Sequence, residues 1–410
     1  MTASMTLRVQ EIIAYCLCAA VIALPFSIAV ANIFFSCTLL MAFVTGAWWQ
    51  GATTLWQKAK PLSIAWLLYI TLMIIGLSWS PDIHRGMVIV SKQWSWLMVP
   101  VFIATCHSRI WLNRILLSIS IGLTLHLILC LAQSQGMPLP VAAPGGSSTQ
   151  DPAGLIGHIS FGLIYGIWAA WLLHLGYLKN NLFRYALWLL ALISVIMVFI
   201  VQGRSGYMVV LTLSIVMAWK IWLQHLNIRL LSSIAALMII TVMIIISGPA
   251  KDRIQITVDS LKSFSHGDLQ HAEVRISLWY LAWESWKTQP LLGVGTGGFS
   301  VAAAPIVKQH PNLNLDNPTG PIHSPHNTYL MELVRWGPMG LIILLFFFGA
   351  WIKTGWKLNW HEQPHHILIA TSGIALAVHG ISSQSIEEYH ASVYTALFLS
   401  IGLASLTHKK

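Results

Sequence analysis

Residues 184–222 read RYALWLLALISVIMVFIVQGRSGYMVVLTLSIVMAWKIW, and this stretch decides the fold class. Two apolar blocks, 184–201 and 206–222, flank a short polar turn, QGRSG at 202–206. Each block has about the length that a helix needs to cross ~30 Å of hydrocarbon. Because no water reaches the bilayer core, backbone polar groups there must be paired within the segment, as they are in a helix. The stretch therefore predicts two membrane-spanning helices joined by a tight turn.

The same pattern extends along the whole chain of 410 residues. Hydrophobic residues make up 56% of the sequence and charged residues 9%, whereas about a quarter of the residues in soluble proteins are charged. No window alternates with period two, which argues against an outer-membrane barrel. We predict an all-α polytopic membrane protein with about twelve spans, at 10–24, 26–46, 62–79, 87–106, 112–133, 154–175, 184–201, 206–222, 229–247, 337–354, 366–385 and 389–406.

The apolar blocks divide the chain into three parts. We predict a transmembrane bundle of about nine helices over residues 1–247, a hydrophilic loop over 248–336 and a bundle of about three helices over 337–410. The first block also resembles a secretory signal, since Arg8 precedes its apolar stretch. We favour a first span, because apolar sequence continues directly after the block. Residues 134–153, rich in Pro, Gly and Ser, are predicted to form an irregular loop.

The distribution of basic residues predicts the orientation. Lys and Arg in short loops stay on the cytoplasmic side of a membrane. Placing both termini in the cytoplasm puts nearly all of them there and leaves Arg85 and Arg204 in short outward loops. The net charge of +10 then follows from topology, and no nucleic-acid surface is predicted. The long loop is expected to face the periplasm. The predicted cytoplasmic cations are Arg8, Lys58, Lys60, Arg109, Arg114, Lys179, Arg184, Lys220, Arg229, Lys353, Lys357, Lys409 and Lys410.

Cysteines and acidic residues give little support for a metal site. All five cysteines lie in or at the ends of predicted spans, so neither a disulfide framework nor a thiolate site is implied. The long loop has seven scattered acidic residues, and His310 is the further histidine near its end. A zinc site needs three or four closely placed ligands. We therefore predict no metal and no cofactor.

Two segments of the long loop have recognisable local structure. Residues 272–288 contain good helix formers and several aromatic residues, and they predict a helix that lies against the membrane or the bundle. Residues 293–298, GVGTGG, formally match the G-x-G-x-x-G pattern of dinucleotide-binding folds, but no strand precedes them. We favour a tight turn. A backbone nest that contacts phosphate is the alternative.

Two histidines and one arginine stand out as candidate site residues. His323 and His326 lie in HSPHNTYL at the end of the loop, and a neutral imidazole can serve as a general base or a metal ligand. A structural role is the alternative. Arg204 lies in the tight turn beside the membrane, where an ionisable residue is a site hypothesis by default. The alternative is an arginine that extends to lipid headgroups. Arg85 is expected to pair with Asp82.

Three motifs together resemble the O-antigen ligase family. They are GRSG at 203–206, VRISLWYLAWESWKTQPLLGVGTGGF at 274–299 and HSPHNTYLMELVRWGPMG at 323–340. The family belongs to a superfamily with O-antigen polymerases and protein O-oligosaccharyltransferases. The resemblance implies a glycosyltransferase that moves a glycan from an undecaprenyl-pyrophosphate donor to a lipid A-core acceptor. It would act at the periplasmic face of the bacterial inner membrane, among membrane lipids.

The resemblance also implies roles for individual residues. Arg204 and Arg275 correspond to the pyrophosphate-binding cations, His326 to the catalytic residue, and His323 is the second candidate. No D-x-D pattern for Mg²⁺ occurs on the outward side, so arginines are expected to stabilise the departing diphosphate. We therefore expect a metal-independent displacement with inversion. Candidate supporting residues are Arg85, Asn327 and Glu332.

Two other functions are compatible with parts of the pattern. An O-antigen polymerase uses the same donor with a second lipid-linked glycan as acceptor. A secondary transporter often has twelve spans, but it is expected to show related halves and charges near mid-membrane. Glu387 and Glu388, with His390, are typical of a solvated outward loop, with a proton site as the alternative. His379 is expected to be a hydrogen-bonded packing residue.

Overall fold

The computed structural model describes residues 3–139, 147–224, 255, 258–259, 273–315 and 320–408. Within these residues the structure is helical and contains no strand, so the all-α prediction is confirmed. A 3₁₀ helix, Lys92–Leu97, joins α5 directly to α6. The α-helices are α1 (Ala3–Ala23), α2 (Ile28–Thr45), α3 (Ala47–Lys58), α4 (Lys60–Ile75), α5 (Ile83–Ser91), α6 (Met98–Thr105), α7 (Arg109–Ser134), α8 (His158–Leu178), α9 (Phe183–Ile200), α10 (Arg204–Gln224), α11 (Val274–Thr288), α12 (Phe299–Gln309), α13 (Thr328–Trp356), α14 (Ile367–His379) and α15 (Tyr389–Ser405).

Among the described residues, fewer helices than the predicted twelve are long and apolar enough to cross a membrane. Within the described residues six segments pass this test by length and composition, and the pair α3 and α4, bent by 114°, makes a seventh if it counts as one span. The prediction of about twelve spans is therefore not confirmed. The predicted span 229–247 lies outside the described residues. The six segments are Ile28–Thr45, Ile83–Thr105, Arg109–Ser134, His158–Leu178, Phe183–Ile200 and Thr328–Trp356.

The predicted span 366–385 is wrong at its end. Helix α14 stops at His379, and residues 380–388, GISSQSIEE, continue without helical structure. The serine side chains compete with the helix for backbone hydrogen bonds, which favours an irregular segment here. We refer to residues 380–388 as the 380–388 loop. It carries acidic side chains back toward the bundle.

Two further boundaries differ from the prediction. Residues 47–58, expected to connect two spans, form helix α3. Helix α13 begins at Thr328, before the predicted start at 337, and it is kinked at Trp336 and Gly337. Gly337 has φ 63°, and a Cβ there would meet the carbonyl group of Leu291. The chain therefore kinks inside a helix at this point, and the kink requires glycine.

The core lies around α8 and α15. Every residue of α15 from His390 to Ser405 is buried, as are most residues of α8. Large apolar side chains are exposed instead on the outer helices, for example Leu40 on α2, Leu125 on α7 and Leu189 on α9. Such extensive exposed apolar surface is typical of contact with lipid. The buried end of α15 nearest the 380–388 loop is where the candidate site lies.

Candidate active site

A cavity of about 390 Å³ lies where four separate segments of the chain meet. The segments are α5 with the following 3₁₀ helix, the start of α8, residues 323–326, and the 380–388 loop with the start of α15. Its charged and histidine side chains are Arg85, Lys92, His158, His323, His326, Glu387, Glu388 and His390. Both predicted histidines therefore line one cavity together with Arg85. Within the described ranges no cluster of three or more His, Cys, Asp or Glu side chains is suited to hold a metal ion.

His326 has an unusual backbone conformation. Its φ is 51°, and among the described residues it is the one non-glycine residue with positive φ. The left-handed region costs an L-residue about 1–2 kcal/mol, so the surrounding structure must enforce it. The next residue, Asn327, caps α13 by accepting a hydrogen bond from the Leu330 N–H (2.9 Å), and its Nδ2 donates to the Ile381 carbonyl (2.8 Å). The Asn327 side chain therefore holds the start of α13 against the 380–388 loop, directly after His326.

His323 is exposed at the mouth of the same cavity. Partial burial lowers the pKa of His323, and the nearby Arg85 guanidinium and Lys92 lower it further, while Asp82 opposes them. A lowered pKa enlarges the neutral fraction of the imidazole near pH 7. The Asp82 carboxylate caps α5 by accepting from the Arg85 backbone N–H (2.8 Å). The expected Arg85–Asp82 side-chain pair is not formed, and the Arg85 guanidinium faces the cavity instead.

The 380–388 loop is held against the starts of α13 and α8 by hydrogen bonds. The backbone N–H of Thr328 donates to the Gly380 carbonyl (2.8 Å), and its hydroxyl donates to the Ser383 carbonyl (2.8 Å). His379 Nε2 lies 2.7 Å from the Ile159 carbonyl. The prediction that His379 is a hydrogen-bonded packing residue is confirmed. These bonds place the acidic end of the loop at the cavity.

A buried network of charges connects the loop to α13. Arg335 Nη1 lies 2.5 Å from Glu387 Oε1 and 3.4 Å from Glu332 Oε1. Tyr69 donates to the same Glu332 oxygen at 2.9 Å, and Lys92 Nζ lies 3.9 Å from the other Glu387 oxygen. The Arg335 and Glu332 side chains have no exposed surface, and that of Glu387 is 6% exposed. The expectation that Glu387 lies in a solvated loop is wrong, and Glu332 lies buried in the bundle between Tyr69 and Arg335.

The charge state of Glu387 follows from its neighbours. Burial by itself raises the pKa of a carboxyl group, but Arg335 and Lys92 outweigh burial here, and the pKa of Glu387 is lowered. The carboxylate is therefore ionised at neutral pH. A buried charge of this kind is tolerated because its partner is close and hydrogen-bonded.

Lys92 and His158 line the cavity but were not predicted as site residues. His158 Nδ1 lies 3.1 Å from Asp151 Oδ2, within ion-pair distance, and Asp151 Oδ1 accepts from the Gln202 backbone N–H at 3.0 Å. Glu388 was expected to be solvated, yet it accepts hydrogen bonds from Ser160 (3.3 Å) and from Ser383. Lys92 could have been predicted from the sequence, because a lysine inside an apolar block often marks a functional site.

Arg204 and Arg275 lie apart from the residues that line the His326 cavity. Arg204 forms a two-point ion pair with Glu273, in which Nη1 donates to Oε2 at 2.6 Å and Nη2 contacts Oε1. This geometry is the strong bidentate form, and it joins the start of α10 to the residue before α11. Arg275 lies in the first turn of α11 and interacts electrostatically with His379. Arg275 therefore lies near the end of α14, just before the 380–388 loop.

The glycine-rich segment is a structural turn. Gly293 and Gly295 have positive φ, and the backbone N–H groups of the turn already donate within the protein. The prediction of a tight turn is confirmed, and these donors are not free for phosphate. The bonds run from Val294 N to Val334 O (2.9 Å), Gly295 N to Arg335 O (2.9 Å), Thr296 N to Gly76 O (3.1 Å) and Gly297 N to Ser80 Oγ (2.9 Å).

Comparison with known proteins agrees with the resemblance noted in the sequence. Residues 189–345 match the family model described as O-antigen ligase. No curated protein sequence matches the chain. The matched residues include Arg204, Arg275 and His326, and the resemblance to the O-antigen ligase family is confirmed there. This match indicates a glycosyltransferase family of the O-antigen ligase and polymerase type. Arg85, Lys92 and the 380–388 loop lie outside the matched residues.

The first prediction concerns the buried network. Arg335→Met leaves Glu332 without its cation and Glu387 with only the more distant Lys92 (3.9 Å), and we expect a loss of about 3–5 kcal/mol in the free energy of unfolding. Lys287→Met, which removes the partner of Glu284 on the surface, is the matched control and should cost at most about 1 kcal/mol. Adding Glu387→Gln to Arg335→Met should recover part of the loss. Equal unfolding free energies for Arg335→Met and the unmodified protein in detergent would contradict the network.

The second prediction concerns the titration of His323. Because Arg85 lowers the pKa of His323, Arg85→Gln should raise that pKa toward its ordinary value of about 6.5. Asp82 acts in the opposite direction, so Asp82→Asn should lower the pKa of His323 further, and asparagine can still cap α5. Imidazole NMR titration of both variants measures the shifts, with His323→Gln identifying the resonance. Shifts of the same sign in the two variants would show that neither side chain acts by its charge.

Proposed function

We propose that this chain, which matches the O-antigen ligase family over residues 189–345, is an O-antigen ligase. It would transfer O-antigen polysaccharide from undecaprenyl pyrophosphate to a sugar hydroxyl of lipid A-core, at the periplasmic face of the inner membrane. The observation that carries the proposal is the placement of His326. A strained histidine from the family motif lines a cavity that also presents two cations, Arg85 and Lys92.

The base in this reaction is His326. Its neutral imidazole takes the proton from the acceptor hydroxyl as the hydroxyl oxygen bonds to the anomeric carbon, and the bond from that carbon to the diphosphate oxygen breaks. Such general-base assistance typically contributes 10²–10⁴-fold in rate. Direct attack inverts the anomeric configuration. His323, whose pKa is lowered, is a second neutral imidazole beside the same cavity.

A carboxylate nucleophile is not favoured by the contacts of the two glutamates. Glu387 is bound to Arg335, and its charge is offset there. Glu388 accepts hydrogen bonds from two serine hydroxyls, Ser160 and Ser383, which stabilise its charge and reduce its nucleophilicity. Both features support a single displacement over a glycosyl-enzyme intermediate.

The departing diphosphate requires cations, and Arg275 and Arg204 are the proposed ligands. A guanidinium offers a planar pair of donors that suits phosphate oxygens. Glu273 holds Arg204 in a two-point geometry of this kind, which pyrophosphate oxygens can reproduce in exchange for the carboxylate. Arg275 lies two residues after Glu273 in the sequence. A diphosphate bound at Arg204 in place of Glu273 would therefore lie near the start of α11. Arg85 and Lys92 supply further positive potential at the cavity itself.

The decisive variant is His326→Asn. Asparagine tolerates the left-handed conformation, so the protein should fold with unchanged or slightly higher stability, while transfer falls by at least about 100-fold. The readout is glycan-capped lipopolysaccharide in a deletion strain that carries the variant, together with the amount of protein in the membrane. His310→Asn, in the same loop but away from the cavity lining, is the matched control and should keep capping normal. Normal capping with His326→Asn would overturn the assignment.

The same strain separates the ligase from the polymerase. Loss of all capped species with accumulation of lipid-linked polymer is the result expected for a ligase. A core that carries one repeat unit, without longer glycans, would identify a polymerase and would refute the ligase proposal.

Removal of divalent metal should leave transfer intact. Because the diphosphate is assigned to arginines, purified protein should transfer glycan in EDTA at a rate within about twofold of the rate without EDTA. Arg275→Ala should lose transfer under both conditions. Abolition by EDTA with recovery on adding Mg²⁺ would contradict the metal-independent mechanism.

A further inference from the structure

A second cavity, of about 370 Å³, lies at the end of the bundle opposite the candidate active site. Helix α8 connects the two regions, since it starts at His158 in the first cavity and ends just before Lys179, which lines the second. The second cavity is formed by the first turns of α7, the connection between α8 and α9, the connection between α13 and α14, and His408 after α15. It plays no part in the proposed glycosyl transfer.

The two charged side chains that line this cavity are both positive. Arg109 and Lys179 line it, and no aspartate or glutamate does. In the part of the chain that the structure describes, neither cation takes part in an ion pair. Two cations beside a pocket without carboxylates attract an anion. Both residues also belong to the face that the distribution of Lys and Arg predicts to be cytoplasmic.

His365 adds a neutral hydrogen-bond donor to the two cations. Trp171 Nε1 donates to His365 Nδ1 at 3.2 Å. Burial, together with nearby histidines and Arg109, lowers the pKa of His365 to about 4, so the ring is neutral at pH 7. A neutral imidazole that accepts at Nδ1 carries its proton on Nε2. His365 therefore adds an Nε2–H donor to the two positive charges, and this combination suits a phosphate group.

The remaining lining is mixed: Asn113, Gln363 and His408 are polar, and an apolar part reaches the exposed outer surface of the bundle. Leu112 and Leu116 on α7, Leu175 on α8 and Phe183 on α9 line the cavity beside the polar groups. Phe183 is exposed on the outside of the bundle. A ligand that satisfies both parts of the lining has an anionic head and a hydrocarbon tail. Basic pockets between transmembrane helices on the cytoplasmic side are known to take anionic lipid headgroups.

We propose that this cavity is a binding site for an anionic phospholipid. Its phosphate contacts Arg109, Lys179 and His365, and one acyl chain lies along Leu112 and Leu116. Such a lipid would bridge three segments that are far apart in the sequence. A ligand that binds the folded state stabilises it in proportion to the logarithm of its concentration over Kd, so occupancy should raise the unfolding temperature.

The test compares lipids on the purified full-length protein in detergent. Phosphatidylglycerol should raise the midpoint of thermal unfolding, and phosphatidylcholine, inorganic phosphate and glycerol phosphate should not. Native mass spectrometry gives the affinity, which Arg109→Gln with Lys179→Gln should weaken about thirtyfold. The matched control, Lys353→Gln with Lys357→Gln, removes two cations from the same end of the bundle without changing the cavity lining, and should bind as the unmodified protein does.

The single variants Arg109→Gln and Lys179→Gln keep the test decisive if the double variant does not fold. Each should weaken phosphatidylglycerol by about fivefold. Undiminished binding in both single variants, or an equal loss in the Lys353 and Lys357 control, would overturn the site. Equal stabilisation by inorganic phosphate or by phosphatidylcholine would overturn its assignment to an anionic lipid.

Discussion

The buried ion pair between Arg335 and Glu387 is the interaction on which the rest of the site depends. A guanidinium without exposed surface cannot remain without a nearby negative charge, and this requirement draws the 380–388 loop back against α13. The backbone of the same residue accepts from Gly295 in the glycine-rich turn. Arg335 therefore joins the kink of α13 to the turn before α12 and to the loop before α15. The position of Glu387 in the cavity wall is a consequence of this pairing.

Local sequence was sufficient for the elements that lipid alone constrains. Helices such as α7, α8 and α9 follow from block length and apolar composition, because a segment in hydrocarbon has to pair its own backbone. The end of α14 does not follow in this way. The run 380–388 is stabilised by hydrogen bonds from Asn327 and Thr328, which are distant in sequence, and a hydropathy pattern contains no information about such partners.

The residues of the candidate site also fall into those that local sequence identifies and those that only the fold brings together. His323, His326, Arg204 and Arg275 were found because they lie in motifs, and Arg85 was found as an isolated outward cation. Lys92, His158 and Glu388 were missed as site residues because only the folded structure brings the four separate segments together at the cavity. The pairing of Arg204 with Glu273 was missed for a similar reason, since 69 residues separate the two.

The complete burial of α15 has a consequence for how the protein is made. This helix follows every other described helix in the chain, yet all of its residues from His390 to Ser405 lie inside the bundle. The ribosome delivers it after the helices that surround it, so those helices have to leave a slot open in the bilayer until it arrives. Glu387 is delivered with it, and until then Arg335 has no Glu387 carboxylate beside it. The candidate site and the closure of the bundle are therefore completed in the same late step of synthesis, so a partly made chain lacks a complete site.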